Sequence, residues 1–393
     1  MSVFISCPIP AAAGQPRSLD GVSGVVPPDL SVALRAVRDP RARRGRRHQV
    51  VAVLAVGVCA VLAGARSYVA IAEWARDLPW AVRAGLGLGR RSPSESTIRR
   101  VLQSVDADQL DRVVSDWLAS RTSPPSAGRP GRRVIALDGK SVRGARLGSG
   151  GDKGRAVHLL AAYDVRTGVV LGQAVVDGKT NEISAFAPLL DRLELSGVLV
   201  TADALHTQRG HAHYLARRGA HYLLTVKANQ PSLLRQLKAL PWKHVPIADQ
   251  SSGKRHGRSE HRSIKLTAVS TGIGFPQAAL ALQITRRRRS STGSRWSTET
   301  VYAITDLTAA QSSAAELADA LRGHWGIENR LHWVRDVTFA EDLSQVRTGQ
   351  GPAVMATLRN LAISLLRSAG ASNIAAASRH LSRHPARVLP LLL

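Results

Sequence analysis

A chain of 393 residues, 44% hydrophobic and 21% charged, is long enough for two or three domains and is neither a disordered nor a collagen-like polymer. Its 54 Lys and Arg stand against 28 Asp and Glu, a formal net charge of +26 that favours a polyanionic partner such as nucleic acid or an anionic membrane surface. The two cysteines, Cys7 and Cys59, exclude a disulfide scaffold and a multi-cysteine zinc module, and a reducing cytoplasm is the expected compartment.

Residues 1–28 are rich in Pro, Gly and Ser and are expected to form a flexible tail. Residues 29–119 have helical patterning and form an expected all-α N-terminal domain for DNA binding. One helix should end near Arg38, before Pro40; others should cover Val50 to Ala63 and Ser67 to Arg76. Ser94 and Asp106 are suitable N-caps for helices through Gln103 and Leu118. Val50 to Ala65 is an unbroken run of sixteen apolar or Gly residues. A membrane span needs about 20, so a buried helix is expected and no membrane association. Within residues 35–47, Arg35, Arg38, Arg41, Arg43, Arg44, Arg46 and Arg47 make the densest basic run, suited to salt-sensitive contact with a DNA backbone. Residues 120–133, with three prolines and two glycines, read as a linker.

From residue 134 to about 370 the pattern is α/β. Strands are expected at 134–137, 157–163, 169–176, 198–201 and 222–226, with a hairpin turn at 164–168 and helices at 183–193 and 208–217. Residues 229–313 interrupt this scheme as a β-rich insertion with strand-like segments at 263–268, 279–285 and 300–304. Its Lys254 to Arg262 and Arg286 to Arg289 segments read as basic loops. Helix resumes at 314, and residues 371–393 read as a C-terminal tail.

Asp138 and Asp203 each follow a predicted central strand, where open α/β sheets place ligand sites. A lone strand-end Asp more often caps a turn. Two on neighbouring strands can share divalent cations, which take oxygen ligands. On the helix 321–337, His324, Glu328, Leu331 and Arg335 fall within roughly 60° of one another at the α-helical repeat. Trp325 and Trp333 read as core anchors. His206, His211, His213 and His221 crowd the stretch after Asp203 without a clear zinc spacing.

The segments VIALDGKSVRGA (134–145), DGKTNEI (177–183), LVTADALHTQ (199–208), VKANQPSL (226–233), HGRSEHR (256–262) and HWGIENRLHWVRDVTFAEDLSQVR (324–347) resemble DDE transposases of bacterial insertion sequences, in the H-repeat-associated (ISAs-type) branch. Residues 39–75 resemble the helical domain that accompanies that branch. The resemblance implies a ribonuclease-H-like α/β catalytic domain with a β-rich insertion, and Asp138, Asp203 and Glu328 as catalytic metal ligands. It implies two Mg²⁺ ions, with Mn²⁺ able to substitute, and transposon-end and target DNA as partners of a homodimer in a synaptic complex. Leu321, His324 and Arg335 stand where the wider superfamily has Tyr, Arg and Lys around its Glu. Lys140, Arg143 and Arg146, with His324 and Arg335, are the expected phosphate contacts beside the acids; Lys179, Asn181 and Glu182 would line the same cleft. Glu341 and Asp342 are alternative third carboxylates, set aside because the family motif puts its acid just after Trp-Gly-Ile. The expected activity is DNA cleavage at element ends followed by strand transfer. A metal-dependent nuclease without joining, and an inactive DNA-binding relative, are the alternatives.

Overall fold

The structure, a computed structural model, describes residues 29–44, 46–121, 131–147, 155–176, 182–255, 258–269, 272–290, 293 and 295–392. The expected tail 1–28, most of the linker and Lys179 and Asn181 lie outside them, as does the side chain of Arg146.

The chain opens with α1 (Leu30–Leu34), α2 (Val50–Leu62), α3 (Tyr68–Arg76), α4 (Trp80–Gly85), α5 (Glu95–Ser104) and α6 (Ala107–Arg121). Side-chain caps fix four of these starts: Asp29 accepts from the Ser31 amide, Ser67 from Ala70, Ser94 from Thr97 and Asp106 from Gln109. The apolar run becomes α2, thirteen residues of which all but Val51 are buried. An all-round apolar helix must be enclosed on every side, and α2 is wrapped by α1, α3, α5 and two later helices, α12 (Gly351–Ser368) and α13 (Ile374–Arg383). Truncating a central side chain such as Leu54, fully buried, should cost about 2–5 kcal/mol. Among the described residues no helix is long and apolar enough to cross a membrane.

Among the described residues, nine strands form one mixed sheet in the order β3-β2-β1-β4-β5-β9-β8-β7-β6. They are β1 (Val134–Leu147), β2 (Arg155–Asp164), β3 (Val170–Val176), β4 (Leu199–Ala202), β5 (His221–Val226), β6 (Asp249–Arg255), β7 (Arg258–Ala268), β8 (Leu280–Ser290) and β9 (Ser297–Thr305). The β2–β3 turn closes as expected. Asp164 accepts from the Arg166 and Thr167 amides, and Gly168 takes φ +76°, which a side chain would resist. Burial alternates along the central strands. Leu199, Leu223, Leu282 and Ala303 meet α10 (Ala314–Gly326), while Val200, Tyr222, Leu224 and Ile304 join the opposite core. That core also holds α7 (Glu182–Leu190) and α8 (Arg209–Arg217).

Four expectations change. First, β1 does not stop at residue 137. Its parallel ladder with β4 ends at Leu137↔Ala202, but antiparallel pairing with β2 carries it on to Leu147. Second, the basic segments of the insertion are strands rather than loops. After α9 (Pro231–Ala239), β9 pairs antiparallel with β5, so β6–β9 prolong the catalytic sheet. The segments expected as basic loops are strands β7 and β8 with the end of β6, because the ladder from Arg258↔Ser290 to Ala268↔Leu280 satisfies their backbone whatever the side chains.

Third, residues 371–393 are no tail: α13 and a 3₁₀ segment, Pro385–Leu391, pack on α2 and α4. The Leu30 amide also donates to the Leu392 carbonyl at 2.8 Å. Fourth, the helices of residues 29–119 are not self-contained, since α6 lies on β3 and α12 wedges between α2, α5, α6 and the sheet. The buried Asp111 of α6 ties these layers, accepting from the Gln173 amide at 2.9 Å and from Arg192 at 3.3 Å.

Candidate active site

Asp138 and Asp203 each come one residue after the last parallel pair of β1 and β4, so their backbones are adjacent at the point where the two strands diverge. Past this point β1 bonds only to β2, which opens a crevice beside β4. The third expected acid, Glu328, comes from the helix that covers this face. α10 starts at a capping box, Ser313 with Glu316, and runs to Gly326. A π-helical turn, Ile327–His332, follows, and α11 (Trp333–Val337) completes the rod. The π turn is defined by the Trp333 amide donating to the Glu328 carbonyl, five residues back.

All three acids line one cavity of about 390 Å³, together with Thr201, His324, Trp325, Lys227, Arg262, Arg286 and Arg322. Carboxylate oxygens of Asp138 and Glu328 and a ring nitrogen of His332 lie within 4.8 Å of one another. Asp203 stands outside that cluster. Its Oδ1 caps the following turn through the Leu205 amide at 3.0 Å, leaving Oδ2 for a ligand. Three carboxylates and an imidazole around one crevice are a donor set suited to divalent cations.

The neighbours divide into those that face the crevice and those that do not. His324 contacts Thr201 Oγ1 at 3.2 Å. Burial pushes its imidazole below the ordinary range, against the pull of Asp138 and Asp203, so it offers hydrogen bonding rather than a fixed positive charge. The Arg143 side chain is mostly exposed, 3.8 Å from Asp342, to which the Arg143 amide also donates at 3.2 Å. Lys140 departs from expectation: it is 8% exposed and its Nζ is 2.6 Å from Asp336, so its charge is already used inside the protein.

Arg335 departs further. It is fully buried, with Nε donating to Glu341 Oε2 at 2.8 Å, while Arg359 donates to Glu341 Oε1 at 2.9 Å. The π turn explains why. One extra residue in a turn rotates everything after it by roughly 100°, one α-helical step. Arg335 therefore leaves the face that carries His324 and Glu328, and enters the core. The same network removes Glu341 as a rival third acid: it is enclosed between two guanidiniums and does not reach the crevice.

Trp325 and Trp333, expected in the core, are each 56% exposed, and the guanidinium of Arg286 lies over the Trp325 ring at 5.9 Å. Glu182 packs against Gly139, where a Cβ would come within 2.4 Å of its carboxyl. Burial would raise that carboxyl, but hydrogen bonds from His158 at 2.7 Å and His206 at 3.3 Å prevail and hold it at about 2. The histidine-rich stretch serves packing: His211 stacks on Phe186 at 3.8 Å and bonds two carbonyls, and His221 bonds Asp306 at 2.8 Å.

Away from the crevice, Arg43, Arg44, Arg46 and Arg47 are all exposed in the α1–α2 connection, where Asp39 holds Arg41 at 2.8 Å and Arg46 at 3.6 Å. The distal part of β8 adds a basic feature to which the sequence assigns no role. Arg287 and Arg289 lie over the Trp296 ring at 5.4 and 5.0 Å. The run Arg286–Arg289 is its only signal in the sequence.

A nine-stranded mixed sheet with acids at the divergence of its central parallel strands, and a third acid on the covering helix, is the arrangement of a ribonuclease-H-like nucleic-acid enzyme. Residues 129–365 match the family described as "Transposase DDE domain", and residues 32–118 match a family described as associated with it. The chain belongs to the DDE transposase family, and is a DDE-type enzyme with the ribonuclease-H-like fold. It is 30% identical over 352 residues to "Putative transposase YncI" of Escherichia coli O157:H7, covering 85% of this chain and 86% of that protein. It is 27% identical over 335 residues to "H repeat-associated putative transposase YhhI" of Escherichia coli strain K12, covering 81% and 85%.

Proposed function

We propose that this transposase cleaves DNA at the ends of an insertion sequence in a divalent-metal-dependent reaction and joins the freed 3′-hydroxyl to target DNA. The observation that carries this reading is the convergence of Asp138, Asp203 and Glu328 on one basic-rimmed cavity. These three residues would hold the metal, for which we assign two Mg²⁺ ions with Mn²⁺ able to substitute. When bound, such ions activate a water or 3′-hydroxyl and stabilise the leaving oxygen. The protein's own groups position the strand. Lys227, exposed at the cavity rim, and Arg143, exposed on β1 beyond Asp138, would contact phosphates, and His324 adds a neutral hydrogen-bonding group beside the acids. Arg43, Arg44, Arg46 and Arg47 extend the backbone contact. A homodimer would bring two ends together.

The test is a strand-transfer assay with labelled duplexes taken from the DNA that flanks the gene. Cleaved ends and end–target joints are expected with Mg²⁺. Cleavage without joints would make the protein a nuclease, and neither product would make it a DNA-binding relative only.

A further inference from the structure

His332 lies beside Asp138 and Glu328, and the three-acid scheme leaves it unexplained. It is 4% exposed, yet neither of its ring nitrogens makes a hydrogen bond among the described residues. Leaving a buried polar group unsatisfied is costly, so such groups are rare unless a ligand completes them. The direction of the ring says which ligand. Nε2 is 3.4 Å from Asp138 Oδ2, and a ring nitrogen lies within 4.8 Å of oxygens of both Asp138 and Glu328. The backbone is specialised at the same place: Glu328 and His332 lie within one π turn, a device that clusters at functional sites.

We propose that His332 is a nitrogen ligand of the cation held between Asp138 and Glu328, making that site a mixed carboxylate–imidazole site rather than an all-oxygen one. The proposal rests on the metal-dependent reading above. Two carboxylates balance a dication, and a neutral imidazole adds a donor without adding charge. Mg²⁺ is a hard ion that prefers oxygen donors, whereas imidazole favours transition metals. His332 therefore tilts the site away from Mg²⁺ and toward Mn²⁺.

The experiment titrates the metal-free, DNA-free protein with Mn²⁺ alone and follows it by electron paramagnetic resonance, with pulsed detection of ¹⁴N coupling. The wild-type spectrum should carry imidazole ¹⁴N coupling, a readout that needs no variant to fold. His332→Gln, checked for folding by circular dichroism, should lose the coupling and at least about tenfold in Mn²⁺ affinity, the scale seen when groups around a metal are changed. Its Mg²⁺ affinity, measured by competition, should change less than about threefold. His324→Gln should keep the coupling. Bound Mn²⁺ without ¹⁴N coupling in the wild type, or coupling that survives in His332→Gln and vanishes in His324→Gln, would overturn the assignment of His332 alone. Asp138→Asn separates the two levels: if it binds Mn²⁺ as the wild type does, the metal site itself is misplaced and the His332 proposal fails with it.

Discussion

Glu341→Gln should destabilise the fold by about 3–5 kcal/mol. The residue is enclosed with Arg335 and Arg359, each of the three at most 1% exposed, at ion-pair distances of 2.8 and 2.9 Å. Breaking a buried ion pair by removing one partner costs about 3–5 kcal/mol, because the other charge is left without compensation. Here one carboxylate serves two guanidiniums, which puts the expected value in the upper half of that range. In urea, with a slope of about 3 kcal/mol/M, the midpoint should fall by more than 1 M. The pH dependence has a definite sign. Burial would raise the Glu341 carboxyl, but Arg335 and Arg359 outweigh it and hold it below its ordinary range. Its stabilisation is therefore complete above the unfolded value of about 4.3 and is lost as pH falls through the lower folded value. The gap between wild type and variant should shrink only in acid below about pH 4. Asp342→Asn, partly exposed and 3.6 Å from Lys140, is the control and should cost under about 1 kcal/mol. Urea unfolding followed by circular dichroism at pH 7 decides the matter. A shift under about 0.3 M for Glu341→Gln would refute the buried-network account.

Three further outcomes are expected. Asp203→Asn should abolish end cleavage while end binding, measured by gel shift, stays within about threefold, since backbone affinity rests on distant cations. Replacing Arg43, Arg44, Arg46 and Arg47 by Gln should flatten the salt dependence of log K by about 0.9 for each phosphate that is no longer neutralised; an unchanged slope would show that the run is only solvated. Burial raises the Asp111 carboxyl to about 7, against the Gln173 amide and Arg192. Wild-type stability should therefore decline as pH rises toward about 7 and level off above it, a decline that Asp111→Asn should remove and that urea midpoints from pH 5 to 8 would detect.

Much of this fold is written locally. Caps such as Ser94, the Asp164–Gly168 turn and the short apolar strands carry their own signals, and the two aspartates follow from strand ends. What the sequence does not disclose depends on partners distant along the chain. The sixteen-residue apolar run declares that α2 is buried but not that α12 and α13 do the burying. The basic halves of β7 and β8, residues 258–262 and 286–290, lack the apolar alternation of a strand, because their order comes from pairing with each other and with β9. The π turn has no sequence signature, so an α-helical projection keeps Arg335 beside Glu328 and gives no reason to single out His332. The same projection does not foresee that Trp325 and Trp333 stay exposed. Lys140 looks free in sequence because its partner, Asp336, lies 196 residues away.

The central claim is that Glu328, with Asp138 and Asp203, completes the acid set that cleaves and joins DNA. Its most direct test is Glu328→Gln, assayed on labelled end DNA in Mg²⁺ and in Mn²⁺, with folding and end binding verified first. The account predicts that cleavage and strand transfer both vanish in either metal while binding persists. Cleavage by Glu328→Gln at the wild-type rate would contradict it and place the third carboxylate elsewhere.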